Sequence, residues 1–406
     1  MTIISNKILE LITISFIIFV ISYLLGRKLN FSSSNIILSL IFHFAVTYIS
    51  ILYVSEKGGD APFYYMASIR QIYPFNGYVG ANLVVDLTGF FSRFLSLSYY
   101  QTTFIFSSFG YFGILIASKI IRLISLDLGE RYKYLYMLVL YSPSCHFWTA
   151  LIGKDGFSFL AISLISYSLL TINKRNKIKS IFFVLISLLI LICLRPHFAF
   201  IIATGIFISL ILNLIRKTSK GILAFLFIFP LSIFILVKFA IFVQSSYGYN
   251  QLDIFGILSK ISEDFTVKAD NTFQTKYIPS ISEIKYIIAP LHNLGGGVIA
   301  LLSVIEIFPY FIFLGVPIVK YFFQSILRFN INPFEFIREQ GLKSGILISS
   351  IIFIIVLSAT TYNLGVVIRQ RTVISPMLIT SSLIVLRSVV KNRKHQLKHH
   401  SHLTSS

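Results

Sequence analysis

Apolar runs of roughly 18 or more residues, the length that crosses a bilayer as a helix, recur from one end of this chain to the other. They fall at about 8–25, 36–54, 101–118, 134–152, 156–172, 180–194, 198–215, 221–243, 296–318, 345–362 and 372–388. The runs are continuously apolar and do not alternate in and out, which disfavours a strand barrel. Of the 406 residues 56% are hydrophobic and 12% charged, with a mean hydropathy of +0.82. Soluble domains carry about a quarter charged residues, so this chain lacks the polar groups to cover a water-facing surface. The expectation is an all-α, polytopic integral membrane bundle of about eleven (10–13) transmembrane helices. It forms a single domain over residues 1–390, and a disordered basic cytoplasmic tail follows at 391–406.

A formal charge of +20 could point to nucleic acid, but its distribution argues against that partner. The basic residues gather in short connections: Arg27/Lys28, Lys119 to Lys133, 173–179, 216–220, 319–344 and the tail from Arg387. If the spans alternate, all six regions lie on one side, as the positive-inside rule requires, with the C-terminus cytoplasmic and the N-terminus outside. Anionic lipids on the cytoplasmic face are their expected partners. The other side receives two long loops, at about 55–100 and 244–295, and three tight turns holding Lys154/Asp155, Arg195/His197 and Arg369/Arg371. Within the first loop, "FNGYVGANLVVDLTGFFSRFLSLSYY" suits an amphipathic interfacial helix. Cys145 and Cys193 sit in or beside apolar runs and indicate no disulfide framework. The first run lacks a small-residue cleavage site, so no cleavable signal peptide is expected. The chain has no convincing internal repeat, which weakens a transporter built from inverted halves.

The external turns hold the candidate chemistry. Asp60 follows two glycines in "GGDAPFYYMAS", where a carboxylate near the membrane surface can accept a hydroxyl proton and the tyrosines after it can stack on sugar faces. The alternative is an ordinary turn aspartate among interfacial aromatics. Lys154 and Asp155 follow "SPSCHFWTALIG", in which Pro143 should break or kink the helix. Charge at mid-bilayer costs about 2.5–3.5 kcal/mol, so the pair lies near the surface, lines a polar cavity or is mutually neutralised. Lys154 can bind phosphate as a point charge while Asp155 orients it or caps the next helix, against a tight turn with snorkelling side chains. In "CLRPHFAF", Arg195 offers a planar fork for phosphate oxygens and His197 a proton shuttle. Arg369 and Arg371 oppose the positive-inside bias and need a reason, which an anionic lipid carrier supplies. Two residues apart on a helix, they diverge by about 200°.

Other signals are weaker. The glycines after His292 in "PLHNLGGG" lack a phosphate-loop pattern. His43, Lys238 and Glu306 fall within spans, where interhelical contacts explain them more simply than a cavity lining. The tail histidines have no partner set for a metal. Zinc, Walker, Rossmann and nucleophile-elbow patterns are missing from the sequence, and no cofactor is expected.

Taken in order, "GGDAPFYYMAS", "YSPSCHFWTALIGKDGFSFLAISL", "LRPHFAF" and "YNLGVVIRQRTVISPMLI" resemble the bacterial oligosaccharide repeat-unit polymerases, Wzy or EpsG-like. The second stretch resembles their P-x-x-x-F-W-[ST]-x-x-x-x-K-[DE] pattern through Pro143, Phe147, Trp148, Thr149, Lys154 and Asp155. The resemblance implies a GT-C-like glycosyltransferase of the bacterial inner membrane that acts at its outer face. Such enzymes join undecaprenyl-diphosphate-linked oligosaccharides into O-antigen, capsule or exopolysaccharide, beside flippase and chain-length regulator proteins. It implies that Lys154, Arg195, Arg369 and Arg371 hold the diphosphate, that Asp60 or His197 takes the acceptor proton, and that no metal is required. The external N-terminus departs from the many polymerases with both termini in the cytoplasm. Rival readings are a GT-C transferase with an undecaprenyl-phosphate sugar donor, with Asp60 and Asp86 as its carboxylate pair, an O-antigen ligase, and a non-enzymatic polysaccharide flippase or transporter.

Overall fold

The computed structural model describes residues 2–72, 79–172, 177–217, 340–360 and 364–403. Among these, all regular structure is helical: α1 Thr2–Lys28, α2 Ser33–Lys57, α3 Asp60–Arg70, α4 Ala81–Gly89, α5 Tyr99–Leu128, α6 Tyr136–Leu140, α7 Pro143–Thr149, α8 Asp155–Thr171, α9 Lys177–Leu194, α10 Pro196–Lys217, α11 Ser344–Thr360 and α12 Leu364–Leu403. Five of them, α1, α2, α5, α9 and α10, are long and apolar enough to cross a membrane. The runs at 221–243 and 296–318, the loop at 244–295, and His292, Lys238 and Glu306 lie outside the described residues.

Burial follows the logic of a bilayer. Leu9, Ile12, Phe16 and Leu24 on α1 and Phe182, Leu185 and Leu189 on α9 are exposed, whereas Ser39, Thr47, Ser50, Ser107 and Ser163 are buried. Apolar side chains face outward because lipid accepts them, and hydroxyls face inward where neighbouring helices and their own carbonyls satisfy them. The core is the crossing of α5 and α8, around Tyr111, Ile114, Leu115, Phe159, Ile162 and Ile165. These two helices run parallel and touch backbone to backbone. A Cβ on Gly156 of α8 would lie 3.4 Å from the Gly110 nitrogen and the Phe106 carbonyl oxygen of α5, and one on Gly113 would lie 3.0 Å from Leu160 Cα. A second close approach joins α10 to α11, where a Cβ on Gly205 would meet the Gly345 carbonyl oxygen at 2.9 Å.

Two expectations change. The run at 134–152 is not one helix but α6 and α7, parted at Tyr141 and Ser142. Ser142 caps α7 by accepting from the Cys145 N–H at 3.1 Å, and Pro143 takes the first helical turn, where its missing N–H costs nothing. At the C-terminus the segment read as a disordered tail continues α12 to Leu403. The only proline inside that helix is Pro376, and the Lys, Arg, Gln and Leu beyond it are good helix formers. The 55–100 loop contains α3, α4 and a π-turn at Phe90–Phe94.

Ion pairs mark the two ends of the bundle. Arg387 on α12 pairs with Asp127 near the end of α5 at 2.8 Å, whereas Arg369 on the same helix pairs with Asp155 at the start of α8. The two arginines are 18 residues apart on one helix, about 27 Å at 1.5 Å per residue and close to the thickness of a hydrocarbon core. At the Arg387 end, Arg122 stands over the rings of Phe31 and Tyr136 at 5.8 and 5.6 Å. Among the described residues, Arg122 and Arg387 of the basic connections thus lie at one end, and the candidate residues gather at the other.

Candidate functional site

Four helix starts converge at that second end. Asp60 opens α3, two residues after Gly58, whose φ of +78° ends α2 in a conformation that favours glycine. Asp155 opens α8, with Lys154 as the residue before it. Arg195 is the hinge between α9 and α10: its N–H reaches the Leu191 carbonyl at 2.6 Å while its own carbonyl accepts from Phe198 and Ala199. Pro196 then starts α10, and its fixed φ suits the first helical position. Arg369 lies near the start of α12. Helix starts present free N–H groups and positive dipole ends, so their convergence favours an anion.

The side chains form one chain of ion pairs. Arg195 Nη2 donates to Asp155 Oδ1, Arg369 Nε donates to Asp155 Oδ2 at 2.6 Å, and Arg369 Nη1 donates to Asp60 Oδ2 at 3.1 Å. The Arg195 and Asp155 side chains are 8% and 7% exposed, Arg369 27% and Asp60 57%, so the chain climbs from the protein interior to its surface. Both Asp155 oxygens are taken by arginines. The carboxylate therefore anchors guanidiniums and does not stand ready to accept a proton. Its hydrogen-bond partners are these two arginines rather than the adjacent Lys154. Arg195 also lies over the fully buried Phe198 ring at 5.0 Å, and its Nε has no hydrogen-bond partner among the described residues.

Lys154 completes the cluster. Gly80, with φ +72°, donates its N–H to the Cys193 carbonyl at 2.7 Å and so holds the start of α4 against the end of α9. A Cβ on Gly80 would lie 3.9 Å from Lys154 Nζ. Burial pushes the Lys154 ammonium down to about 8, helped by Arg195 and Arg369 and opposed by Asp155 and Asp60. Three cations thus face two carboxylates. His197, within electrostatic range of Arg195 and Lys154, stacks edge-on against Phe198 at 4.7 Å. Arg371 sits two residues past Arg369, and Arg369 is the one of the two that pairs with Asp155 and Asp60.

Tyr64 belongs to the cluster, and sequence reading treated it only as one of several stacking tyrosines. It is buried one turn after Asp60, and burial, then the Asp60 charge, pushes its hydroxyl up to about 12. The signal was the four-residue spacing, which puts both on one face once the stretch is read as a helix. No group of three or more His, Cys, Asp or Glu side chains able to hold a metal ion occurs among the described residues.

Among the described residues the fold is thus all-helical, with five helices fit to cross a membrane and a cationic cluster at one end. No family model, curated protein or solved structure matches the chain.

Proposed function

We propose that this chain is a membrane glycosyltransferase that polymerises undecaprenyl-diphosphate-linked oligosaccharide repeat units into O-antigen, capsule or exopolysaccharide. In this reading it has about eleven spans in a GT-C-like arrangement, resides in the bacterial inner membrane, and turns the Asp60–Arg369 end to the periplasm or cell exterior. The observation that carries the reading is the ion-pair chain Arg195–Asp155–Arg369–Asp60 with Lys154 beside it, assembled from four separate helix starts. Three cations over two carboxylates leave net positive charge where helix dipoles also favour an anion, which suits a diphosphate leaving group.

The steps follow from the positions. The acceptor sugar hydroxyl attacks the anomeric carbon of the glycan on its lipid diphosphate. The bond from that carbon to the diphosphate oxygen breaks, and the diphosphate departs with the electron pair. Arg369, Lys154 and the Arg195 Nε–H, which has no partner among the described residues, stabilise the charge it gains. Asp60 uses one oxygen for Arg369 and is exposed, so its other oxygen takes the acceptor proton. Asp155 holds both guanidiniums in place.

The test is incubation of the purified protein with a lipid-diphosphate-linked repeat unit. A ladder of extended products is expected. No ladder, together with consumption of a lipid-phosphate sugar, overturns the polymerase in favour of a transferase. In cells, deletion should leave single-repeat glycan at the surface, whereas loss of all surface glycan favours a flippase.

A further inference from the structure

Tyr64 and Tyr65 are neighbours on α3, and their hydroxyls do different things. Tyr65 donates to the Leu97 carbonyl oxygen at 2.9 Å, and the Ser68 and Ser92 hydroxyls meet at 3.0 Å. These bonds fasten α3 to the π-turn and the residues after it without the help of Tyr64. The Tyr64 hydroxyl has no hydrogen-bond partner among the described residues. Its ring packs in a small apolar cluster with Ala61, Val84, Phe106, Ile152 and Leu194. Ile152 stands two residues before Lys154 and Leu194 directly before Arg195, so this packing sets the ring against the segments that carry two of the cations. Phenylalanine would fill the same space. A polar group held in a buried position without a partner costs free energy, so the hydroxyl calls for a partner that arrives from outside.

Access and charge define that partner. Tyr64 Oη is not one of the fully sealed side-chain atoms that lack a partner, so a ligand can reach it. It lies within electrostatic range of Asp60, Arg369, Asp155 and Arg195. Of these, Asp60 and Arg369 are the members open to solvent, and a ligand that reaches them meets the hydroxyl as well. Asp60, one turn away, already gives an oxygen to Arg369. Burial, then the Asp60 charge, holds the phenolic proton in place up to about 12, so at neutral pH the group offers a proton and no negative charge. A neutral donor beside a surplus of cations suits an anionic oxygen.

We propose that the Tyr64 hydroxyl is a substrate-binding group, which donates a hydrogen bond to a phosphate oxygen of the lipid diphosphate seated at Arg369. This role rests on the polymerase reading and adds an uncharged, directional donor to its three cations. The ring, locked in its apolar cluster, fixes where that oxygen sits, whereas the ammonium of Lys154 attracts it as a point charge.

The experiment compares the full chain in lipid nanodiscs with its Tyr64→Phe and Tyr65→Phe variants, with inorganic diphosphate as the probe, by calorimetry and thermal melting. Tyr64→Phe keeps the ring and removes only the hydroxyl. It should weaken diphosphate binding by about tenfold or more, the scale of one hydrogen bond to a charged group, while the empty protein melts no lower. Tyr65→Phe removes a hydroxyl that is already bonded and should do the reverse: the empty protein melts lower and diphosphate affinity is unchanged. Unchanged affinity in Tyr64→Phe overturns the role of Tyr64, and a lower melting temperature of that empty variant would then mark the hydroxyl as structural. An unsubstituted protein that binds no diphosphate overturns it as well. Ladder formation by the unsubstituted protein decides separately whether the polymerase reading stands.

Discussion

Asp155 and Arg369, 214 residues apart in sequence, meet through a 2.6 Å hydrogen bond from Nε to Oδ2, and Arg195 holds the other oxygen of the same carboxylate. A buried carboxylate shared by two guanidiniums is a cross-brace between α8, α9/α10 and α12. Asp155→Asn keeps the shape and removes the charge, leaving Arg195 buried without its counter-ion. The expected cost is about 3–5 kcal/mol, read as a lower melting temperature in detergent. Asp60→Asn, on the 57% exposed carboxylate, should cost no more than about 1 kcal/mol. Equal effects from the two would mean that the brace contributes no stability.

Arg195→Ala and Arg369→Ala should each reduce chain extension by about 100-fold or more, the scale of losing a preorganised charge in a transition state. Both proteins should still be recovered from the membrane fraction. Arg369→Lys should recover little, because a single ammonium cannot reach Asp155 and Asp60 in the two directions that the guanidinium serves. Near-normal glycan ladders from both alanine variants would rule out the diphosphate role.

Much of this arrangement was legible in the sequence, and the illegible part has a physical reason. Charge set between apolar runs marked Asp60, Lys154/Asp155, Arg195 and Arg369, and Pro143 marked a break in its run; that Pro143 and Pro196 each start a helix came from the structure. Partnership was not legible. Asp155 stands next to Lys154 in sequence, yet its oxygens go to arginines on other helices, because helix neighbours are chosen by packing across the bundle. The break in 134–152 was signalled by Pro143, but uniform apolarity hid that both halves are short. Reading the residues after Gly59 as an irregular turn concealed Tyr64, which is on the Asp60 face only if they are helical.

Gly110 offers a test of packing separate from charge. Its Cβ position is filled by the Thr149 carbonyl oxygen and Cβ, each at 2.5 Å, and backbone cannot yield as a flexible side-chain end would. Gly110→Ala should force α5 from the end of α7 and cost about 1–3 kcal/mol. Gly129→Ala has open space but a φ of +110°, so its penalty should come from backbone strain alone. Melting of both variants alongside extension assays separates the two causes. Gly110→Ala should impair extension beyond its stability loss, because Thr149 leads directly into the Lys154 turn. Unimpaired extension at matched stability would disprove that link.

Lys154 should set an alkaline limit on the reaction. Burial and the two arginines push its ammonium down to about 8 from the ordinary 10.5, so the free protein loses this charge as pH rises through about 8. On the proposed mechanism kcat/KM, which reports the free enzyme, should fall above that pH, and Lys154→Arg should move the fall well upward because arginine stays charged. Stability should run the opposite way. Between about 8 and 10.5 the unfolded chain holds a proton that the folded protein has released, so stability gains with pH over that interval. The charged lysine is thus a strain on the empty site. Lys154→Met should stabilise the ligand-free protein by about 2–3 kcal/mol at neutral pH while abolishing the rise in melting temperature caused by a lipid diphosphate. A Met variant that is no more stable and still responds to the diphosphate would remove Lys154 from the site.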